Sequence, residues 1–385
     1  MSTAPRKLRD YQEITRSRVH AEWSDEINRT AIVLPTGAGK TDIVSQLCLD
    51  EIASGGRVLV LAHRSELIDQ LIERINAYTP ATIGRIQAGW NDLNLITAAS
   101  VQTLRRPKRM AAIAALHWQP TLVVIDEVHH ALAESYLAIA EWAGCFDARR
   151  TRLLGVTATL IRGDRQAFDG LFQSVADVIT KEWAIKAGIL VPAVIKPIKL
   201  TRFTDRFRFR SLSDKQLERQ DCRRIVEDWQ RRAADRITIA YCASIGQAEC
   251  LVDAFTEADV PVGLVIGTTP YEDREVIYKK LATGDIRVMV NVGVATEGFD
   301  CPAVSCILLD RYTENAGLLT QMIGRGIRPY IDPTTGQMKT ECLVLDSVEV
   351  TSQFRHSVLM DINPRCVRVK QPSRFRRLFD TLRGK

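Results

Sequence analysis

The chain has 385 residues, of which 46% are hydrophobic and 25% charged, and its formal net charge is +6. This length suits two domains of average size, and the composition is that of a soluble globular protein. No apolar run approaches the roughly 20 residues that a membrane-spanning helix needs, and the N-terminus lacks the apolar core of a signal peptide. The sequence therefore favours a cytoplasmic protein without membrane association.

Cysteine usage argues against a metal cluster. The nine cysteines form no CxxC pair, and the six histidines do not complete a zinc-binding spacing. The closest pair, Cys301 and Cys306, lies around an apolar stretch, where cysteine usually behaves as a small buried hydrophobic residue. The sequence therefore predicts reduced, buried thiols.

The positive charge is concentrated at the C-terminus. Residues 364–385 hold eight basic side chains and one acidic side chain, which leaves the rest of the chain close to neutral. Basic residues with few acidic neighbours suit contacts with nucleic-acid phosphates. A solvated terminus without a target is the alternative, because basic chain ends are often disordered.

Short apolar segments alternate with amphipathic segments in both halves, which predicts an α/β fold with parallel sheets covered by helices. The predicted strands are 31–34, 57–62, 95–98, 121–125 and 152–156 in the first half, and 237–242, 260–266, 287–292, 305–309 and 342–345 in the second. The predicted organisation is a first domain at 1–195, a connection at 196–224, a second domain at 225–350 and a basic tail at 351–385.

The connection contains alternating arginine and phenylalanine from Arg206 to Arg210. Period-two alternation places Phe207 and Phe209 on one face of a strand. Arginines beside aromatic rings suit phosphate contacts and base stacking in single-stranded nucleic acid. The alternative is a short strand whose phenylalanines pack on a neighbouring domain.

The segment Leu34-Pro-Thr-Gly-Ala-Gly-Lys-Thr41 lies between a predicted strand and a helix predicted from near Lys40. That context is typical of a phosphate-binding loop, in which glycines let backbone N–H groups approach the phosphates of ATP. We expect Lys40 at the outer phosphates and the Thr41 hydroxyl on Mg²⁺. Leu34 stands where the strict pattern has glycine, and the loop alone also fits a kinase or a chaperone ATPase. The predicted nucleotide-binding residues are Pro35, Thr36, Gly37, Ala38, Gly39, Lys40 and Thr41.

Two adjacent carboxylates follow the apolar segment 121–125, in Asp126-Glu-Val-His129. They are predicted at the carboxyl end of a strand, where parallel sheets bind ligands. We expect Asp126 in the Mg²⁺ shell, and we expect Glu127 to orient and deprotonate the attacking water. A solvated acidic turn is the alternative, which the apolar strand before it disfavours.

The second half contains Gln321-Met-Ile-Gly-Arg-Gly-Ile-Arg328, whose two arginines share a face if the segment is helical. A hydrolase of this design needs a cation brought to the γ-phosphate from outside the phosphate-binding loop. We therefore expect Arg328 to act as the arginine finger, with Arg325 supporting it. A solvated arginine pair is the ordinary alternative.

In their order along the chain, these motifs resemble those of superfamily 2 helicases of the DExH type. The nearest resemblance is to the branch that contains RadD, XPB, phage helicases and the motors of type I and III restriction enzymes. It covers roughly residues 6 to 350 and includes further segments. These segments are Leu8–Gln12, Leu61–Gln70, Ala98–Thr103, Thr157–Thr159, Ile239–Ser244 and Asn291–Pro302.

The resemblance implies two tandem RecA-like lobes that bind ATP and nucleic acid in the cleft between them. It implies that Gln12 contacts adenine and that Gly298, Asp300 and Gln321 face the nucleotide. It further implies contacts with the nucleic-acid backbone, and the residues concerned are Arg64, Gln102, Thr103, Ser244 and Thr296.

These features predict an ATP-dependent helicase or translocase that uses ATP and Mg²⁺ and acts on nucleic acid. DNA is favoured by the resemblance alone, and no protein partner is indicated. Two alternatives are a motor that remodels protein–DNA complexes without unwinding and a non-motor clamp or adaptor that uses ATP to grip nucleic acid. The hydrolytic set of Lys40, Glu127, Arg325 and Arg328 argues against the adaptor.

Overall fold

The computed structural model describes residues 7–62, 82–87, 89–126, 134–147, 151–158, 171–200, 212–294 and 301–354, together with residues 68, 72, 75, 76, 78 and 128. The chain divides into two compact units. The first unit holds the described residues up to Ile179, except Pro35–Ala38. The second unit holds Pro35–Ala38 and the described residues from Thr180 to Phe354. The segments 206–210 and 364–385, which were singled out above, lie outside the described residues.

The first unit is built on a largely parallel sheet. Its strands are β1 (Arg29–Val33), β2 (Val58–Ala62), β3 (Ile83–Gln87), β4 (Trp90–Asn91), β5 (Ile96–Ser100), β6 (Leu122–Asp126), β7 (Arg152–Thr157) and β8 (Ser174–Val178). They lie in the order β4-β3-β5-β2-β6-β7-β1-β8, and the β3–β4 pair alone among them is antiparallel. Its helices are α1 (Asp10–Ser24), α2 (Lys40–Ala53), α3 (Val101–Leu104), α4 (Pro107–Ala115) and α5 (Glu134–Trp142).

The second unit has a six-stranded sheet in which every pair is parallel. Its strands are β9 (Ala193–Pro197), β10 (Ile237–Cys242), β11 (Val262–Val265), β12 (Val288–Asn291), β13 (Val304–Asp310) and β14 (Cys342–Asp346), in the order β11-β12-β10-β13-β14-β9. Its helices are α6 (Lys181–Lys186), α7 (Leu212–Ala233), α8 (Ile245–Glu257), α9 (Tyr271–Thr283), α10 (Ala316–Gly324) and α11 (Val350–Gln353).

Each sheet has its own hydrophobic core. In the first unit, β2 and β5 are buried along their whole length, as expected for central strands covered on both faces. In the second unit, Trp229 of α7 packs edge-on against Phe255 of α8, with ring centroids 5.2 Å apart. The indole N–H of Trp229 donates to Thr238 Oγ1 at 2.8 Å, so this large side chain is buried without an unpaired donor.

All ten predicted strands are present, and each end lies within two residues of its predicted position. The predicted burial of the thiols is met by seven of the eight described cysteines, whereas Cys250 is half-buried. All eight are free cysteines in the described part of the chain. No helix in the described part of the chain is long and apolar enough to cross a membrane.

The start of the second unit differs from the boundary that the sequence suggested at residue 195. The strand β9 pairs with β14, from Ala193 beside Cys342 to Pro197 beside Asp346, so its hydrogen bonds lie in the second sheet. In addition, α7 begins at Leu212, within the stretch expected to be a connection. Its buried apolar residues occur at helical spacing but are surrounded by charges in the sequence. They are Cys222, Ile225, Val226, Trp229 and Ala233.

Candidate nucleotide and nucleic-acid sites

The predicted phosphate-binding loop connects β1 to α2 at the carboxyl edge of the first sheet. Gly37 and Gly39 have φ angles of +91° and +76°, in the left-handed region that glycine adopts most readily. The loop is held to β7 where Leu34 N donates to Thr157 O at 3.0 Å. The helix α2 begins at Lys40, so its positive N-terminal end follows the loop directly. This backbone has the form of an anion cradle.

Gly39 is also required by a close approach of α1. A Cβ atom on Gly39 would lie 2.4 Å from Gln12 Nε2 and 2.8 Å from Asp42 Oδ2. Gln12 is buried, its Nε2 donates to Gly39 O at 3.3 Å, and its Oε1 accepts from Arg9 N at 2.9 Å. Both ends of the amide are therefore engaged, which fixes its orientation beside the loop.

The helix α1 is fastened to α2 by a charged cluster on Asp50. Arg16 makes two hydrogen bonds to this carboxylate, from Nε at 2.6 Å and from Nη2 at 2.7 Å. His20 Nε2 lies 2.9 Å from Asp50 Oδ2. Burial alone would raise the pKa of Asp50, but hydrogen bonds with His20 and Arg16 hold the pKa at about 2. The carboxylate is therefore ionised at neutral pH and pairs with Arg16.

A second attachment joins α1 to the edge strand β8. Thr15 Oγ1 donates to Asp177 Oδ2 at 2.6 Å, and Arg18 forms an ion pair with the other oxygen of Asp177. Asp177 is 5% exposed, so both partners serve to satisfy a buried carboxylate. The helix that carries Gln12 is thus held on both sides, at α2 and at β8.

Asp126 lies on the same edge of the sheet as the loop. It is the last residue of β6 and pairs with Val156 of β7, while Thr157 of β7 pairs with Val33 of β1. The carboxyl ends of these three neighbouring strands therefore bring Asp126 and the phosphate-binding loop to one edge. Glu127 and His129 lie outside the described residues.

The residues present fit ATP and Mg²⁺. The Oγ1 atom of Thr36, in the loop, is buried with no hydrogen-bond partner among the described residues, as expected of a loop that is completed by a polar ligand. Thr41 supplies a hydroxyl and Asp126 a carboxylate, which are oxygen ligands of the kind that Mg²⁺ prefers. The described residues contain no group of three or more His, Cys, Asp or Glu able to hold a metal.

In the second unit, Gln321 and Arg325 are buried and Arg328 is half-buried. The helix α10 ends at Gly324 with Arg325 as its C-cap, so Arg328 lies beyond the helix. Arg325 and Arg328 are therefore not on one helix, and helical spacing does not place them on a shared face. The chain leaves the helix because Gly326 packs against the sheet, where a Cβ atom would lie 2.3 Å from Cys342 Sγ.

The two arginines nevertheless share a neighbour, Tyr241 of β10. Burial raises the pKa of the Tyr241 hydroxyl above its ordinary value, and the positive charges of Arg325 and Arg328 oppose that rise. Both guanidinium groups therefore lie close enough to the tyrosine to act on it electrostatically. Gly298 and Asp300, the other predicted nucleotide contacts of this half, lie outside the described residues.

Of the predicted nucleic-acid contacts, Gln102 of α3 is exposed and Thr103 is buried. Ser244 is the N-cap of α8, where its Oγ accepts from Gln247 N at 3.3 Å. An accepting hydroxyl still has its own O–H to donate, which suits a phosphate oxygen. Arg64 and Thr296 lie outside the described residues.

Sequence reasoning missed the residues that support Ser244. Gln247 Oε1 accepts from Ala243 N at 3.1 Å, and its Nε2 donates to Asp310 O at 2.7 Å and to the Asp310 carboxylate. Asp310 is 1% exposed and also accepts from Ser347. The signal was available, because Ser-x-x-Gln is the sequence of a capping box at a helix start.

Two family matches cover both halves of the chain. Residues 6–162 match the family described as "Type III restriction enzyme, res subunit", and residues 219–329 match "Helicase conserved C-terminal domain". Together with the two parallel-sheet units and the phosphate-binding loop, these matches define a two-domain P-loop protein of helicase type. The chain belongs to the superfamily 2 helicases.

Curated relatives are similar along most of this chain. IRC3 of Saccharomyces cerevisiae, named as an ATP-dependent helicase, is 27% identical over 90% of this chain and 52% of its own length. The irc3 protein of Schizosaccharomyces pombe, named as a mitochondrial ATP-dependent helicase, is 30% identical over 88% of this chain and 57% of its own length. The chain thus spans about half the length of these relatives.

Solved structures support the fold. The fragment of an HsdR subunit of a type I restriction enzyme from Vibrio vulnificus aligns with a TM-score of 0.66 at 17% identity, covering 92% of this chain and 66% of that one. The Type ISP restriction-modification enzyme LlaBIII, whose structure is bound to DNA, aligns with a TM-score of 0.69 at 15% identity, covering 90% of this chain and 28% of that one. At this identity the likeness concerns the RecA-like fold of the two units.

Proposed function

We propose that this protein is an ATP-dependent nucleic-acid motor that couples ATP hydrolysis to movement along the phosphate backbone of DNA. The observation that carries the proposal is the arrangement at one edge of the first sheet. There Gln12 donates a hydrogen bond to Gly39, a residue with left-handed backbone in the predicted phosphate-binding loop. Asp126 ends β6, which is separated from β1 by the single strand β7. Family membership and the names of the relatives support the same activity.

In this proposal, Lys40 binds the outer phosphates of ATP, and Thr41 and Asp126 hold Mg²⁺. When bound, Mg²⁺ neutralises charge on the phosphates during transfer to water. Glu127 orients the attacking water and accepts its proton, while Arg328 stabilises the charge that develops on the transferred phosphate. These roles follow from the residue types, their motif order and the family resemblance.

Nucleic-acid binding is assigned to the backbone rather than to the bases. Gln102 and Ser244 carry hydrogen-bonding groups, and the predicted contacts Arg64 and Thr296 add a cation and a hydroxyl. Contacts of this kind bind phosphates and carry no direct sequence information, so the movement is expected to be independent of sequence. The basic segment 364–385 is proposed to add affinity through further phosphates.

The experiment that tests the proposal is the ATPase rate without polymer and with single-stranded DNA, duplex DNA, forked DNA and RNA. The Lys40→Ala variant serves as the control for contaminating ATPases. The proposal predicts a low basal rate that rises by an order of magnitude or more with DNA. A rate that is equal with and without every polymer would overturn it. Separation of the forked substrate would identify a helicase. Stimulation without separation would fit a translocase or a clamp, and these two are distinguished by whether the protein moves along DNA.

The expected cytoplasmic location is a separate proposal, and fractionation of the native cells tests it. One relative is named as mitochondrial, so organelle fractions belong in that experiment.

A further inference from the structure

Four cationic side chains occur within five residues where α3 meets α4. Arg105, Arg106 and Lys108 are exposed, and Arg109 is half-buried. We refer to Arg105, Arg106, Lys108 and Arg109 as the α3–α4 basic patch. None of these four residues was included among the predicted nucleic-acid contacts.

The patch lacks acidic neighbours. No Asp or Glu occurs from Leu93 to Ile125, so the sequence supplies no local countercharge. Among the described residues, no acidic side chain forms an ion pair with any of the four cations. Their positive charge is therefore not neutralised by the part of the fold that the structure describes.

The local helix does not account for these cations. Arg106 is the N-cap of α4, Pro107 opens the helix, and Lys108 and Arg109 follow in a first turn that contains no acidic residue. The N-terminal end of a helix carries a partial positive charge, which favours acidic side chains and disfavours basic ones. Basic residues here lower the stability of the free protein and raise its attraction for an anion.

The position of the patch identifies the anion. The helix α3 starts directly after Ser100, the carboxyl end of β5, and carries the exposed residue Gln102. Gln102 is one of the residues to which the proposed function assigns the nucleic-acid backbone. Four cations that follow it within a few residues suit the successive phosphates of a polymer better than one isolated phosphate.

We propose that the α3–α4 basic patch binds the phosphodiester backbone of the nucleic acid and extends the contact beyond Gln102. This inference rests on the proposed function, because it assumes that the protein acts on nucleic acid. The patch binds phosphates through charge, so its contribution is independent of sequence and decreases as salt rises. It adds affinity for the polymer and takes no part in ATP hydrolysis itself.

The test compares the double variants R105Q/R106Q and K108Q/R109Q with the control K279Q/K280Q. Lys279 and Lys280 are exposed on α9 of the second unit, and the control removes the same charge. Affinity for labelled oligothymidylate and for a duplex is measured without ATP across a range of salt concentrations. Each lost phosphate contact flattens the slope of log affinity against log salt by about 0.7 on a single strand and about 0.9 on a duplex.

The proposal predicts that each patch variant loses one to two phosphate contacts. The slope of log affinity against log salt should then flatten by about 0.7–1.8, depending on the polymer, and by more than in the control. The variant R105K/R106K, which keeps the charge, should retain the parent slope. Unstimulated ATPase activity should be unchanged in all four variants, which shows that they are folded.

Two results would overturn the proposal. If the patch variants keep the parent slope on both polymers, the four side chains do not contact phosphates. If the control flattens the slope equally, the effect comes from the net charge of the protein and not from the patch. In either case the parent protein still binds DNA, so the proposed function stands. A parent protein that binds neither polymer, and whose ATPase no polymer stimulates, would instead overturn both proposals.

Discussion

The side-chain amide of Gln12 donates to the backbone carbonyl of Gly39, with Nε2 and O 3.3 Å apart. This contact joins the first helix of the chain to the phosphate-binding loop across 27 residues of sequence. Gln12 also accepts from Arg9 N, so its amide group cannot flip without losing a hydrogen bond. A residue proposed to contact adenine is therefore also part of the support for the loop that is proposed to bind the phosphates.

We predict that Gln12→Ala raises the KM for ATP by about three- to tenfold, the equivalent of one lost hydrogen bond. It should also reduce the preference for ATP over GTP, because the amide is proposed to contact the base. The turnover rate at saturating ATP should change much less. Steady-state kinetics with both nucleotides measure all three quantities.

The matched control for this variant is Gln119→Ala. Gln119 Nε2 also donates to a backbone carbonyl, that of Ala143 at 3.1 Å, but it precedes β6 and so lies at the opposite edge of the sheet. Its loss should leave both KM values unaltered. Equal effects of the two variants would show that Gln12 acts through general stability.

The bidentate pair of Arg16 with Asp50 predicts a second, weaker effect on ATP binding. Arg16→Ala removes the bidentate ion pair between α1 and α2, while Gln12, the loop and the contact of His20 with Asp50 stay in place. Because the pair is partly exposed, we expect a rise in the KM for ATP of only about two- to threefold, with an unchanged turnover rate. A rise in the KM for ATP larger than that of Gln12→Ala would contradict the expectation that the Arg16–Asp50 pair supports ATP binding less than Gln12 does.

Arg328→Ala should lower the turnover rate and have little effect on the KM for ATP. An arginine finger acts on charge that builds up in the transition state and is worth about 10³–10⁵ in rate where it has been measured. Binding of nucleic acid without ATP should be the same as in the parent. A normal turnover rate would exclude Arg328 from this role, and Arg325→Ala then becomes the variant to compare.

The burial of Lys339 predicts a particular dependence of stability on pH. Its Nζ donates to Pro302 O at 2.7 Å and Val304 O at 2.8 Å, and burial lowers the pKa of Lys339 from 10.5 to about 8. Between these values the unfolded chain binds the proton and the folded chain does not, so stability increases as pH rises. The gain is at most about 3 kcal/mol.

This gain is isolated by comparison with Lys339→Met, which has no titrating group at the position. Unfolding temperatures of the two proteins are measured by calorimetry from pH 7.5 to pH 10.5. The unfolding temperature of the parent protein relative to that of Lys339→Met should increase above about pH 8, which is the lowered pKa of Lys339. A difference that is constant across this range would show that the pKa of Lys339 is not lowered.

The sequence was sufficient to predict the central strands, because these are apolar and bounded by polar segments. Four strands were missed, and each lies at or next to the edge of a sheet. For example, β9 is half-exposed along its length, and β4 has only two residues. These segments form strands because they pair with a neighbouring strand, and their amino-acid composition alone does not predict this.

At the candidate site, the loop between β1 and α2 and the place of Asp126 at the end of β6 could be predicted because their motifs are local. The attachments of α1 could not, since Arg16 and Asp50 are 34 residues apart and Thr15 and Asp177 are 162 apart. The end of α10 before Arg328 depends on the packing of Gly326 against Cys342, a contact that sequence spacing does not contain.

The central claim is that ATP hydrolysis drives movement along DNA, and arrival times at a labelled DNA end test it most directly. Single-stranded DNAs of increasing length carry the label at one end. A single round of movement by prebound protein is followed with ATP in excess and rebinding to DNA prevented, and Glu127→Gln is the inactive control. The account predicts that the lag before the signal increases in proportion to DNA length and that the control gives no signal. ATP hydrolysis that DNA stimulates, with a lag independent of length, would contradict it.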